Sequence, residues 1–213
     1  MDHLLLPEGI TNLPPFVYFD VDNRFTTAQR QRIKDAISGV LLVWFDHQDQ
    51  KWNGGTNDGV SQLAACADTY ATNNLQPVWY QGPPITNGQA ATNVAMDQFT
   101  QLIRDNGFRI SPPAKIDYCI PTPIDSSTIR GETAFTQTGV PLSFVINPIQ
   151  LDRIDINGLV LTGSMFHAWL HRADYTDPKT TSYFISEAPM CLMRGNQPKV
   201  PSVPDSSFFQ FFD

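Results

Sequence analysis

The sequence has no run of about 20 apolar residues, the length that a membrane helix needs, so no membrane span is expected. Charge is also sparse, because Asp, Glu, Lys and Arg make up only 16% of the 213 residues and no block of like charge occurs. With 14 basic and 21 acidic side chains, the formal net charge is −7. Such a surface repels polyanions, which excludes nucleic acid as an expected partner.

Several catalytic motifs are missing as well. The chain has no Gly-x-Ser-x-Gly nucleophile elbow, no phosphate-binding loop and no Cys-x-x-Cys pair. Its first residues carry Asp2 where a signal peptide has basic residues, and the apolar run that follows is short. A signal peptide is therefore not expected, and the sequence leaves both the localisation and the oligomeric state open.

The chain has only three cysteines, Cys66, Cys119 and Cys191, which cannot all pair within one molecule. One disulfide with one thiol, and three thiols, are both compatible with the sequence. The redox compartment of the protein therefore stays undecided at this level.

The residues that are present are typical of a loop-rich globular domain, with 41% apolar residues, 17 prolines and 13 glycines. Phe16–Val21 is aromatic and β-branched, which predicts a strand. Thr26 and Gln29 form a capping box, and apolar residues at helical spacing follow it. We expect this helix to end near Asp46, with His47 as its cap.

Loops rich in proline and glycine separate the patterns that follow. The order is strand, helix, helix, strands and then a helix followed by irregular chain, which favours an α+β fold. After residue 173 the chain reads as irregular and proline-rich, with an aromatic cluster at residues 208–212. The patterns predict helices over residues 60–70, 94–103 and 157–172, and short strands over residues 77–80, 115–120, 133–136 and 142–146.

Two of the four histidines, His167 and His171, lie four residues apart in the last helical pattern. This spacing places both imidazoles on one helix face, about one turn apart. Two neutral imidazole nitrogens at that separation can share one Zn²⁺ ion. A histidine pair alone is more often polar surface, so the flanking residues decide the interpretation.

Residues 167–177, His-Ala-Trp-Leu-His-Arg-Ala-Asp-Tyr-Thr-Asp, resemble the metzincin metalloprotease signature His-Glu-x-x-His-x-x-Gly-x-x-His/Asp. The resemblance implies that His167, His171 and Asp177 bind Zn²⁺, with aspartate as third ligand as in the snapalysin type. It also implies a secreted protein with a polypeptide substrate or protein ligand.

The same resemblance implies a fold. A metzincin-like chain would form a single domain, 1–213, in which a mixed twisted sheet packs on helices. The N-terminal subdomain would cover about residues 1–173, and an irregular C-terminal subdomain would cover about residues 174–213.

Two positions depart from the signature. Asp174 replaces the glycine of a turn that needs a positive φ, which aspartate tolerates better than most residues. Ala168 replaces the glutamate that, in this family, takes a proton from water and passes it to the leaving amine. Such acid–base help is worth about 10²- to 10⁴-fold, so we expect hydrolysis to be lost and metal binding to survive. Glu187 and Asp174 are weaker candidates for a substitute carboxylate.

Two further segments carry weaker resemblance. Metzincins run beneath the metal in a tight turn with a buried methionine, and Cys191-Leu192-Met193 resembles that Met-turn, with Met190 as the alternative. Ser143, Phe144 and Val145 lie in a run that resembles the edge strand on which these proteases hold peptide substrate.

The expected function is that of a zinc endopeptidase-like protein, inactive or strongly impaired because of Ala168. An engineered Glu→Ala knockout and a natural pseudoprotease both fit. The alternative is a metal-free protein- or carbohydrate-binding module, or a toxin or effector component. Its candidate aromatic contacts are Trp79, Tyr80, Trp169 and Tyr175.

Overall fold

The computed structural model describes residues 1–6, 13–54, 58–119, 129–130, 140–177 and 182–212. The fold is α+β, as the order of patterns predicted, and the described strands form one five-stranded sheet. The predicted strand at residues 133–136 lies outside the described residues. The strands are β1 (Asp2–Leu5), β2 (Phe16–Val21), β3 (Ala114–Tyr118), β4 (Ile129–Arg130) and β5 (Phe144–Ile146).

The sheet is mixed, with the strand order β1-β2-β3-β5-β4. β2, β3 and β5 run parallel, and β1 and β4 close the two sides antiparallel to their neighbours. β2 occupies the positions that its composition predicted, with Val17, Phe19 and Val21 buried and Asp20 exposed. This alternation directs one face of the strand onto the helices.

The described helices are α1 (Thr27–Trp52), α2 (Gln62–Tyr70), α3 (Gly88–Leu102), α4 (Pro148–Leu151), α5 (Gly158–Arg172) and α6 (Phe184–Met193). One π-helical turn, Ile103–Gly107, continues α3, and two 3-10 turns, Asp205–Ser207 and Phe209–Phe211, follow α6. None of the described helices combines the length and the apolar composition that crossing a bilayer requires.

The capping box at the start of α1 is confirmed. Thr26 Oγ1 accepts from the amide of Gln29, and Gln29 Oε1 accepts from the amide of Thr26. The predicted end near Asp46 is wrong, because α1 continues to Trp52 and its buried face still includes His47. His47 is not a cap but a buried contact of Ser61, the N-cap of α2, and burial lowers its pKa to about 4.

The segment 77–80 is a turn and not a strand, since the amide of Tyr80 donates to the carbonyl of Pro77 at 3.1 Å. The indole N–H of Trp79 donates to the carbonyl of Ala173 at 2.8 Å. This bond ties the turn to the residue that caps α5.

α5 runs through the core. The ring of Trp169 lies 6.0–6.2 Å from the rings of Phe19, Phe99 and Phe144, which come from β2, α3 and β5. Trp169 and Tyr175 are each only 1% exposed. Neither can therefore be the surface contact for a ligand that the metal-free alternative needs.

The chain after α5 is not irregular throughout, which corrects the expected irregular C-terminal subdomain. All ten residues of α6 are buried, although Pro189 lies inside the helix. Proline disfavours a helix interior in isolation, but packing against α2 and α5 overrides that preference here. A disulfide between Cys66 and Cys191 joins α2 to α6, and Cys119 lies outside it.

A buried ionic cluster attaches the following chain to α6. The Glu187 carboxylate accepts from Lys199 Nζ at 2.5 Å and lies 3.6 Å from Arg194 Nη1. Asp205 binds the same two cations. Burial, more than the neighbouring charge of Asp205, raises the pKa of Glu187 to about 7, against the attraction of Lys199.

The raised pKa predicts a pH-dependent stability. Folded Glu187 holds its proton up to about pH 7, whereas the unfolded chain releases it near 4.5. The stabilisation is therefore complete below about pH 4.5 and is lost as the pH rises through 7, by up to about 3 kcal/mol. We expect Glu187→Gln to flatten the fall in melting temperature between pH 5 and 8. Asp155→Asn, at an exposed position, is the control, and an unchanged slope in the Gln variant contradicts the assignment.

Candidate metal centre

α5 carries the histidine pair, and its bounds agree with the pattern. The Asn157 side chain caps the first turn by accepting from the amide of Val160. After Arg172 the backbone turns at Asp174, whose φ of 61° confirms the left-handed conformation expected there. The turn brings the chain back past the end of the helix to Asp177.

The two imidazoles meet through their Nε2 atoms, which lie 3.2 Å apart. Each Nδ1 contacts a backbone carbonyl, that of Ile185 at 2.6 Å for His167 and that of Tyr175 at 3.2 Å for His171. A carbonyl oxygen only accepts, so we assign the ring proton to Nδ1 in both residues. In the neutral rings both Nε2 atoms then carry lone pairs, which repel one another unless a cation lies between them.

Asp177 completes the group. One ligand atom from each of His167, His171 and Asp177 lies within 4.8 Å of the others. The Asp177 Oδ1 atom is buried and has no hydrogen-bond partner among the described residues. A carboxylate oxygen without a donor is costly to bury, and a cation at the shared point would satisfy it.

Tyr183, the N-cap of α6, lies near this carboxylate. Burial, followed by the charge of Asp177, raises the pKa of Tyr183 to about 12. The hydroxyl therefore stays protonated at neutral pH beside the site. Sequence reasoning missed this residue, because no motif joins it to the signature.

The set fits a zinc-sized ion. With Zn–N bonds of about 2.0–2.1 Å, two ligands of a tetrahedral ion lie about 3.3 Å apart, and the two Nε2 atoms are 3.2 Å apart. His167 is 1% exposed, while His171 and Asp177 are partly buried. Two imidazoles and one carboxylate leave a coordination position for a further ligand.

The carbonyl that holds His167 is available because of Pro189. In a regular helix the amide of residue 189 would donate to the carbonyl of Ile185, four residues earlier, but proline has no amide proton. The Ile185 carbonyl instead accepts from His167 Nδ1. Pro189, which favours a loop in the sequence, thus frees the carbonyl that orients His167.

The position of the missing glutamate offers no substitute. Ala168 is fully buried in the core. Glu187 is held by Lys199 in the ionic cluster and is not a member of the ligand group, and Asp174 is exposed. Neither of these two carboxylates belongs to the ligand group with the histidines.

The Met-turn is not present as a turn. Met190 and Met193 both lie in α6 and are buried. Met193 packs closely against Gly163, one helical turn before His167, where a β-carbon would meet its Cγ at 2.6 Å. Met193 therefore sets the close approach of α5 and α6, which differs from the expected loop beneath the metal.

The predicted substrate strand is also wrong. Ser143 and Phe144 are fully buried, and Val145 is nearly so. At Val145 and Ile146, β5 pairs with β3 on one side and with β4 on the other, so this part of its backbone does not form an edge that can bind an extended peptide. Its apolar run is that of a strand buried on both faces.

Comparisons with known proteins add no relative: no family model, no curated protein and no solved structure matches the chain. The function therefore has to be argued from the site itself.

Pro189→Ala tests the carbonyl that orients His167. The new amide would compete for the Ile185 carbonyl, and we expect affinity for a divalent metal to fall about 10-fold or more, as for other outer-shell contacts. Competition with a chromophoric chelator measures it. Pro204→Ala, at an exposed position outside α6, is the matched control. Equal affinity in the parent and the Pro189 variant contradicts this role.

Proposed function

We propose that the chain binds one Zn²⁺ ion through His167, His171 and Asp177, and that it is an endopeptidase-like protein without its general base. The observation that supports this most strongly is the pair of Nε2 atoms 3.2 Å apart, both with their Nδ1 atoms on carbonyls. A shared cation converts that repulsive contact into coordination.

The donor set favours zinc over other biological cations. Ca²⁺ and Mg²⁺ prefer oxygen ligands, whereas imidazole nitrogens with one carboxylate suit Zn²⁺. Three protein ligands with a remaining position are the arrangement of catalytic rather than structural zinc sites. When bound there, Zn²⁺ supplies a Lewis acid that polarises a carbonyl.

Residues of the chain itself orient the metal ligands and determine whether water can lose a proton. The carbonyls of Ile185 and Tyr175 hold the imidazole tautomers, and the protonated Tyr183 hydroxyl lies near Asp177. At position 168 a methyl group stands where a proton acceptor is needed, so proton transfer from water has no side-chain base. Peptide binding without efficient cleavage is the behaviour that this combination supports.

The metzincin relationship rests on residues 167–177. It is supported by the ligand geometry and by the left-handed Asp174, while α6 in place of a Met-turn and the internal β5 depart from it. We therefore propose a metzincin-like metal site within an α+β domain.

The metal-free alternative makes a different demand on the histidines. Without a cation, one ring of the pair has to be an imidazolium that donates from Nε2 to the other ring. Two of its four aromatic contacts, Trp169 and Tyr175, are buried, which weakens it.

Metal content separates the two proposals. We expect elemental analysis of the purified protein to give about one zinc per chain, since three ligands converge on one point. His167→Ala and His171→Ala should each lose it, and His3→Ala, at an exposed position, should retain it. Protein that stays zinc-free after loading and dialysis would overturn the proposed metal site.

Restoring the base tests the protease relationship. We expect Ala168→Glu to cleave casein at least about 10²-fold faster than Ala168→Gln, which has the same size but no basic carboxylate. Because position 168 is buried, melting curves of both variants check that they fold. Two folded, zinc-loaded variants with equal activity would contradict a disabled protease and favour a dedicated binding protein.

A further inference from the structure

An aromatic ring of the chain itself covers the histidine that lies deepest in the metal site. The Phe212 ring stacks on the His167 imidazole, with ring centroids 4.4 Å apart and planes inclined by 25°. This is closer than the 4.5–7 Å usual for aromatic pairs. Phe212 therefore lies in direct contact with a residue of the ligand group.

We infer that the face of His167 beneath Phe212 is a subsite for an aromatic side chain, and that residues 205–212 fill it as an intramolecular ligand. We call residues 205–212 the aromatic segment. The inference rests on the proposed metal site. It names the class of ligand for that site, a peptide with an aromatic residue next to the carbonyl that reaches the metal.

The aromatic segment is anchored by residues other than Phe212. Phe208 and Phe211 are 8% and 6% exposed; Phe208 lies between the two 3-10 turns, and Phe211 ends the second one. The Arg194 guanidinium lies over the Phe208 ring at 4.9 Å. The segment thus has its own apolar attachment beside α5 and α6.

Charge provides a second attachment. Asp205 binds Lys199 Nζ at 2.8 Å and Arg194 Nη2, and both cations also lie beside Glu187 of α6. Removing the Phe212 ring leaves all of these contacts in place. The subsite can therefore be opened by a single substitution without releasing the aromatic segment.

The exposed aromatic residue of the same segment gives a matched control. Phe209 is 42% exposed, whereas Phe212 is partly buried against His167. Phe209→Ala removes the same number of atoms from the same segment. It should leave the face of His167 covered.

An occupied subsite lowers the apparent affinity for any competing ligand by the fraction of molecules in which it is open. Opening it should therefore increase the affinity of an aromatic ligand more than that of a small one. Phenylalanine hydroxamate and alanine hydroxamate share the metal-binding group and the α-amino group and differ only in the aromatic ring. Their affinity ratio isolates the subsite from general access to the metal.

The experiment measures binding of both hydroxamates to zinc-loaded parent, Phe212→Ala and Phe209→Ala proteins by calorimetry. We expect the preference for phenylalanine hydroxamate to rise about threefold to tenfold in Phe212→Ala, the effect of one aromatic stacking contact. Phe209→Ala should match the parent. An equal gain for both probes, or no gain, overturns the aromatic subsite.

A second readout needs no metal. Acylation of histidines by diethylpyrocarbonate, mapped by mass spectrometry on metal-free protein, should be about threefold to tenfold faster at His167 in Phe212→Ala than in the parent. His47, buried against Ser61 in α1, is the internal control. An unchanged rate at His167 overturns the proposal that Phe212 covers this residue. If the protein binds no zinc but His167 is still acylated faster in Phe212→Ala, the metal site is contradicted and the cover by Phe212 is retained.

Discussion

The contact between the Nε2 atoms of His167 and His171 is the constraint on which the rest of the site depends. Two neutral imidazoles hold their lone pairs 3.2 Å apart only if something fixes each tautomer and something else offsets the repulsion. Backbone carbonyls on the opposite sides of the rings fix the tautomers. A cation is the offset that we propose, with Asp177 as the third donor and the one carboxylate of the ligand group.

The fold supplies those carbonyls from two different places. The left-handed turn at Asp174 returns the chain so that the Tyr175 carbonyl reaches His171. α6 supplies the Ile185 carbonyl to His167, and a disulfide, a glycine contact and a buried ionic cluster hold that helix against its neighbours. Tyr183, the N-cap of the same helix, lies near Asp177. One buried helix and its N-cap thus border two of the three ligands.

Local patterns predicted the parts of this arrangement that depend on short-range chemistry. The capping box at Thr26, the bounds of the helix with the histidine pair and the positive φ of Asp174 all follow from neighbouring residues. The convergence of Asp177 with the histidines could be predicted from the spacing of the signature. The order of the helical and strand patterns also predicted the α+β class.

The parts that could not be predicted depend on tertiary contacts. Pro189 favoured a loop, but complete burial of Phe184–Met193 makes it a helix, and a freed backbone carbonyl has no signature in side-chain sequence. The run through Phe144 reads equally well as an edge or an internal strand, because pairing partners come from distant residues. The stacking of Phe212 on His167 joins residues 45 positions apart for the same reason.

X-ray absorption at the zinc edge is the most direct test of the shared cation. The account predicts a first shell of nitrogen and oxygen at about 2.0–2.2 Å, with the outer-shell scattering of two imidazoles. Because His171→Ala is expected to lose the ion, its zinc-edge signal should fall to that of the buffer. A shell with sulfur at about 2.3 Å, or one of oxygen alone without imidazole scattering, would contradict coordination between the two Nε2 atoms.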